Sequence, residues 1–480
     1  MIIKVFYIVV IVLLFSFVIG RGYPDSLDSS FVSVILLVNF FSLFFFFLKK
    51  ENLTLRKQYI KISSLFIIGF IIVHFQMYID FLLGLISEQN SFLFINNNIT
   101  MKALLISSIA FNSYLFGYSL KNDNENYYTH LTTNKDFSNV LNTKTLLYVT
   151  VISLILFFIT VDKSYLAGNY GKVEKGGLAG TLGLIFQCGV SALLVINAQN
   201  LIIQKGFGVS LKTAFLFLRR EIILLCIFTL STMVSGERNI LIFNFLFLVG
   251  ILLYITKLRL SKLQIFLFMC IASFCISLLG AARRFRDEGT FFEKINLAFN
   301  DEYEGNYPDS FFNSTKELAG SGRTLNIAVD AIESGAAEHT YGLFAIQDLM
   351  LLIPSLKGSV ISLFGIPGFL TSSSHYLTYI NLGANATWGV GSSCVADTYL
   401  DFGLFGVGIV FFLFGFFTRK LELIMYRKQI ANFFVLTVAL LILSSSIYMA
   451  RGTILYGLNK LFYIMIFIYS TVLINKLQKH

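Results

Sequence analysis

The side chains able to do chemistry in this chain gather in its last third. Asp397 and Asp401 are four residues apart, which puts both carboxylates on one face of a helix. Each can take a proton from a hydroxyl group or pair with an arginine. Two histidines precede them, His339 in Glu338-His339-Thr340-Tyr341-Gly342 and His375 in Ser374-His375-Tyr376. Imidazole titrates near neutrality, so either can act as a general base, whereas a carboxylate, with an ordinary pKa of about 4, needs burial to do so. On that ground His339 is the favoured base, with Asp397 and Asp401 orienting an attacking hydroxyl.

Arginines stand at expected helix ends: Arg238, Arg451 and the pair Arg283–Arg284. A guanidinium holds two phosphate oxygens in its planar fork and keeps its charge. The three clusters suit one shared anionic ligand; each alone also suits a lipid phosphate or a local carboxylate, such as Glu237 beside Arg238. Lys460 follows Arg451 by nine residues, so an unbroken helix carries it about 13 Å deeper. A lysine at that depth is a functional candidate or a buried structural pair. His74, within an apolar run, is expected to be a packed polar residue.

Several function classes are excluded by what surrounds these residues. No Walker, GxGxxG, HExxH or GxSxG pattern occurs, so nucleotide-driven chemistry is not expected. The five cysteines lack CxxC pairing and nearby histidines, so no metal site is expected. The net charge of +10 is unevenly spread. Residues 283–394 hold 7 basic and 12 acidic side chains, net −5, which leaves +15 on the rest. That excess falls in short loops, as cytosolic loops of a membrane protein require, and gives no nucleic-acid surface.

The elements that must position these groups are membrane helices. The chain has 480 residues, 56% of them hydrophobic and only 13% charged, with a mean hydropathy of +0.74. Apolar runs near the 20 residues a bilayer needs recur about twelve times, and the first, Ile2–Gly20, is expected to stay as a span. The third is expected at Ile62–Leu85, the ninth at Leu263–Leu279 and the tenth at Val395–Phe417, followed by an inner loop with Arg419, Lys420, Arg427 and Lys428. The eleventh is Ala431–Met449 and the twelfth Thr453–Leu473. With the N-terminus inside, every lysine- and arginine-rich loop falls on the cytosolic side, so both termini are expected there.

The expectation is an all-α polytopic bundle of about twelve spans with one large external loop. Residues 1–280 hold nine spans, 281–394 the loop and 395–480 the last three. Within the loop, Ser321–Ala337 has an amphipathic pattern, while Leu343–Leu352 and Val360–Leu370 are too short to cross and suit the membrane interface or a re-entrant path. Thr371–Cys394, rich in Ser, Asn, Gly and Tyr, suits contact with something polyhydroxylated.

The stretch Ala396-Asp397-Thr398-Tyr399-Leu400-Asp401-Phe402-Gly403-Leu404-Phe405-Gly406 resembles the acidic-x-Tyr-x-x-Phe-Gly-x-x-Gly signature of bacterial O-antigen polymerases, the Wzy-type enzymes. Asp397 stands where that family usually has Glu. The turn Gly236-Glu237-Arg238-Asn239 is similar to a Gly-x-Arg turn of such proteins, and the expected topology resembles theirs along nearly the whole chain. The resemblance implies an inner-membrane glycosyltransferase of the multi-span C type (GT-C-like). Its donor would be an oligosaccharide on undecaprenyl pyrophosphate, and its acceptor a second lipid-linked repeat unit. It implies no cofactor, and a chain-length regulator protein as partner. The arginines would hold the pyrophosphate, and His375, Tyr399 and Lys460 would contact substrate. A lipid-linked glycan ligase and a flippase for the same unit are the rival readings. A flippase should show repeat symmetry and evenly short loops, which this chain lacks.

Overall fold

The computed structural model describes residues 2–48, 59–90, 92–120, 140–166, 177–235, 237–256, 310, 315–353, 355–426 and 432–478, with the backbone alone at Val234 and Arg238. The apolar runs become helices because hydrocarbon offers no partner to backbone N–H and C=O groups, which must then satisfy one another. In order these are α1 (Ile2–Ile19), α2 (Ser29–Leu48), α3 (Ile62–His74), α4 (Gln76–Leu82), α5 (Asn97–Leu120), α6 (Lys144–Thr160), α7 (Gly177–Lys205), α8 (Leu211–Phe217), α9 (Arg219–Val234) and α10 (Arg238–Ile255). Short helices follow, among them α11 (Arg323–Glu333), α12 (Leu343–Met350), α13 (Leu356–Phe364) and α14 (Ser373–Leu382). The chain closes with α15 (Cys394–Tyr426), α16 (Phe433–Met449) and α17 (Leu461–Leu477).

Among the described residues, six helices are long and apolar enough to cross a bilayer, and α3 with α4 makes a seventh, bent crossing. The apolar helices α6, α10 and α16 are shorter. The expected ninth span lies outside the described residues, as do Arg283 and Arg284.

The centre of the bundle is the crossing of α5 and α15. Gly117 of α5 lies against the backbone of Phe412, and Gly415 of α15 against that of Tyr114; a methyl group at either would overlap a carbonyl oxygen. Small residues at such crossings let helices approach closely in a medium with little hydrophobic drive between them. Beside the crossing, Tyr118 donates to Glu422 Oε2 at 2.5 Å and accepts from Arg419 Nη1 at 2.8 Å, while Ser63 N donates to Glu422 Oε1 at 2.7 Å. Asn112 and Asn39 tie α5 to α2 at 2.9 Å.

Four sequence expectations need correction. The third span is not one helix: α3 and α4 meet at Phe75 with a 52° bend. The bend turns Gln76 and Asp80 toward the segment after 309, where Ser310 bridges them at 2.7 Å on each side and Thr315 donates to Gln76 Oε1 at 2.7 Å. His74 therefore ends a helix instead of sitting mid-span, buried between Phe70 and the Cys394 thiol. The tenth span runs on to Tyr426, so Arg419 is a fully buried network member and not part of a basic loop. The twelfth span begins late. Gly457, with φ of 85°, interrupts the backbone, and Lys460 stands at the start of α17 instead of deep within it.

Residues 315–393 cap one end of the bundle. Lys102 near the start of α5 pairs with Glu333 of α11, Asn326 of α11 donates to Leu93 O at 2.8 Å, and Cys394 N donates to Ala450 O at 3.3 Å. α12 and α13 turn Ile346, Leu349, Leu363 and Phe364 outward, as helices lying on a membrane interface do.

Candidate active site

The first residues of α15 clamp the segment 339–345. α12 starts after Gly342, whose φ is 90°, and has no side-chain cap of its own. Its exposed amides need an acceptor, and the positive end of the helix dipole favours an anion. Asp401 supplies both. Its carboxylate accepts from Phe344 N at 3.1 Å, Ala345 N at 2.7 Å and the Thr340 hydroxyl at 2.5 Å, and the residue is 2% exposed. Phe402 then lies over Gly342, where any side chain would meet its ring. Gly403 breaks the helix at φ 63°, ψ −165°, a backbone region open essentially to glycine alone, and faces His339 Nε2. The Asp-Phe-Gly portion of the signature is thus a docking device for α12.

Docked in this way, α12 carries Asp348 into a cavity of about 280 Å³. The other walls are Asn239 and Phe243 from α10, Ser444 and Tyr448 from α16, and Thr453, Tyr456, Asn459 and Lys460 from the stretch before α17. Lys460 Nζ lies 3.6 Å from the centroid of the Phe243 ring, a cation–π contact. Burial raises the Asp348 carboxyl above the ordinary carboxylate range and Asp401 adds to this, while a hydrogen bond from Thr453 and the charge of Lys357 pull it down. Burial in turn lowers the Lys357 ammonium, and Asp348 opposes that.

Of the candidates from the sequence whose side chains are described, Lys460 alone lines this cavity. Arg451 is not among its lining residues; it falls between two of them, Tyr448 and Thr453, in sequence, and its Nη1 is 3.4 Å from Glu317 Oε1 in an exposed pair. Such a pair contributes little to stability and leaves the guanidinium available to a stronger anion. Arg238 opens α10 next to Asn239, and its side chain lies outside the described set. His339 is elsewhere, half-buried, with Nδ1 3.3 Å from the Leu400 carbonyl and its ring edge-on to Tyr399. A proton on Nδ1 satisfies Leu400 and leaves Nε2 as the acceptor. Asp397 is held by the hydroxyls of Ser392 and Ser373. His375 is exposed and engaged with Thr371 at 2.8 Å, in the first turn of α14.

Asp348 is the residue that sequence reasoning missed. The available signal was its isolation: it is the only charged side chain in the apolar stretch Leu343–Leu352. A charge kept in so apolar a segment needs a partner or a function to offset its desolvation.

The family model described as O-antigen polysaccharide polymerase Wzy matches residues 3–478 of this chain. No curated protein and no solved structure matches it.

Proposed function

The chain belongs to the O-antigen polysaccharide polymerase Wzy family, and from that premise we propose that polymerisation takes place at the cavity holding Asp348 and Lys460. The family acts on lipid-linked repeat units in a membrane, and this chain is a multi-pass membrane protein with a polysaccharide polymerase role. The observation that carries the proposal is the meeting of a carboxylate raised by burial with Lys460 and the first residues of α10 in one cavity.

The donor is an oligosaccharide on undecaprenyl pyrophosphate, and no nucleotide sugar enters. An acceptor hydroxyl of a second lipid-linked unit attacks the anomeric carbon. Its oxygen forms the new glycosidic bond, the bond from that carbon to the pyrophosphate oxygen breaks, and the lipid pyrophosphate leaves with the electron pair. Asp348 takes the hydroxyl proton, because it lines the cavity and burial raises its carboxyl, whereas the oxygens of Asp397 and Asp401 are occupied by serine hydroxyls and by the amides of α12. Arg451, Arg238 and Lys460, joined by Arg283 and Arg284, neutralise the charge growing on the pyrophosphate. His339, Asp397 and Asp401 hold the acceptor side in place. The capped end faces away from the cytosol, both termini are cytosolic, and a chain-length regulator docks on the assembled protein.

The test is the lipopolysaccharide ladder of a deletion strain complemented with single variants at equal membrane level. Asp348→Asn and Arg451→Ala should each leave a single capped repeat, and Arg451→Lys should rescue in part, because lysine lacks the fork. If Asp348→Asn polymerises normally and His339→Ala does not, the base is His339. If every variant loses all capping, the protein is a ligase.

A further inference from the structure

A second constellation lies in the cap, on α11. Arg323 is 6% exposed, and its Nε and Nη1 are sealed from solvent without a hydrogen-bond partner among the described residues. Its guanidinium carbon sits 3.9 Å from the centroid of the Phe92 ring and 5.5 Å from that of Trp388. Trp388 is the only tryptophan of the chain and is 49% exposed. One turn along the same face, three residues on, Asn326 is fully buried, and its Oδ1 is also without a partner while its amide donates to Leu93.

A buried guanidinium with no anion beside it among the described residues is costly, and cation–π contacts offset only part of that cost. Burial accordingly lowers the Arg323 pKa. Two orphan groups of opposite hydrogen-bonding sense, donors on Arg323 and an acceptor on Asn326, share one helix face beneath an exposed indole. An indole presents a flat apolar surface to the C–H face of a sugar ring, a guanidinium fork fits a carboxylate, and an amide oxygen accepts from a hydroxyl. We propose that Arg323, Asn326 and Trp388 form a subsite for a carboxylate-bearing sugar of the glycan. That the sugar belongs to the polymerised repeat unit rests on the function proposed above; the binding chemistry does not. From Glu317, the partner of Arg451, to Arg323 the backbone stays in right-handed helical geometry, so the subsite lies about 10 Å along the helix from the expected pyrophosphate end.

Because Trp388 is the sole tryptophan, its emission reports on this subsite in the whole protein. The full chain, purified in detergent micelles, is titrated with methyl glucuronoside, with methyl glucoside and with inorganic phosphate. The uronoside should change the emission saturably, and the neutral glycoside should bind roughly tenfold or more weakly, the worth of one charge-assisted hydrogen bond. Arg323→Met, which keeps the packing and removes the charge, should abolish the response while thermal unfolding stays close to wild type. Arg323→Lys should weaken it, and covers the case in which the methionine variant fails to fold. Equal responses to acidic and neutral glycosides would overturn the subsite. So would a response to phosphate as strong as that to the uronoside, or wild-type titrations from both Arg323 variants. Turnover is not read, so a failure here is separate from a failure of the polymerase ladder.

Discussion

Replacing Asp401 with asparagine tests whether the signature docks α12 or does chemistry. The carboxylate accepts two amides and one hydroxyl in a site almost closed to solvent. Asparagine keeps one oxygen and sets an NH2 group against a backbone N–H. One charge-assisted hydrogen bond disappears, at about 1.5–3 kcal/mol. The favourable charge at the helix start goes with it, at about 0.3–1 kcal/mol. Taken together, about 3 kcal/mol of docking free energy is lost, which makes undocking of α12 roughly a hundred times more frequent. Hydrogen exchange of the Phe344 and Ala345 amides should speed up by that order, cleavage by an added protease between 338 and 353 should increase, and polymer should fall because Asp348 no longer holds its place. If polymer is lost while exchange and cleavage stay at wild-type rates, Asp401 is a reacting group and the docking argument fails.

Other expectations are more compact. The base works deprotonated, so activity falls as pH drops through the Asp348 pKa; Lys357→Gln removes a charge that pulls this pKa down and should move the acid limb of the rate profile to higher pH. An unmoved limb argues against Asp348 as base. Gly403→Ala adds a side chain in a glycine-only region against His339 and should destabilise the start of α15 by about 1–3 kcal/mol, seen as a lower melting temperature in detergent. Gly415→Leu would force α5 and α15 apart and should lower membrane levels as well as stability; a wild-type level and melting temperature would show that the crossing tolerates separation.

Much of the architecture was legible because hydrocarbon imposes it. Apolar runs place α1 and α16 nearly residue for residue, and the short apolar stretches of the cap are legible as too short to cross. The misses share one cause. Hydropathy counts residues and cannot see where a helix bends or starts, so the break at Phe75 and the interrupted backbone before Leu461 were hidden, and Lys460 was placed too deep. Arg419 looked like a loop cation because its partners, Tyr118 and the Glu422 network, lie on another helix or a later turn. The docking role of Asp401 depends on amides 56 and 57 residues earlier in the chain, a tertiary fact that no local spacing announces.

Two of the helices walling the candidate cavity are short. α10 has 18 residues and α16 has 17, so they span about 26 Å at 1.5 Å per residue. A bilayer core is about 30 Å thick, whereas α5, α7 and α15 run to 24, 29 and 33 residues. Lipid meeting the short side must thin to match it, at a fraction of a kcal/mol per Å. A bilayer thinned there would let a long-chain lipid carrying a phosphate headgroup reach the cavity by sinking with the surface instead of being lifted out of it.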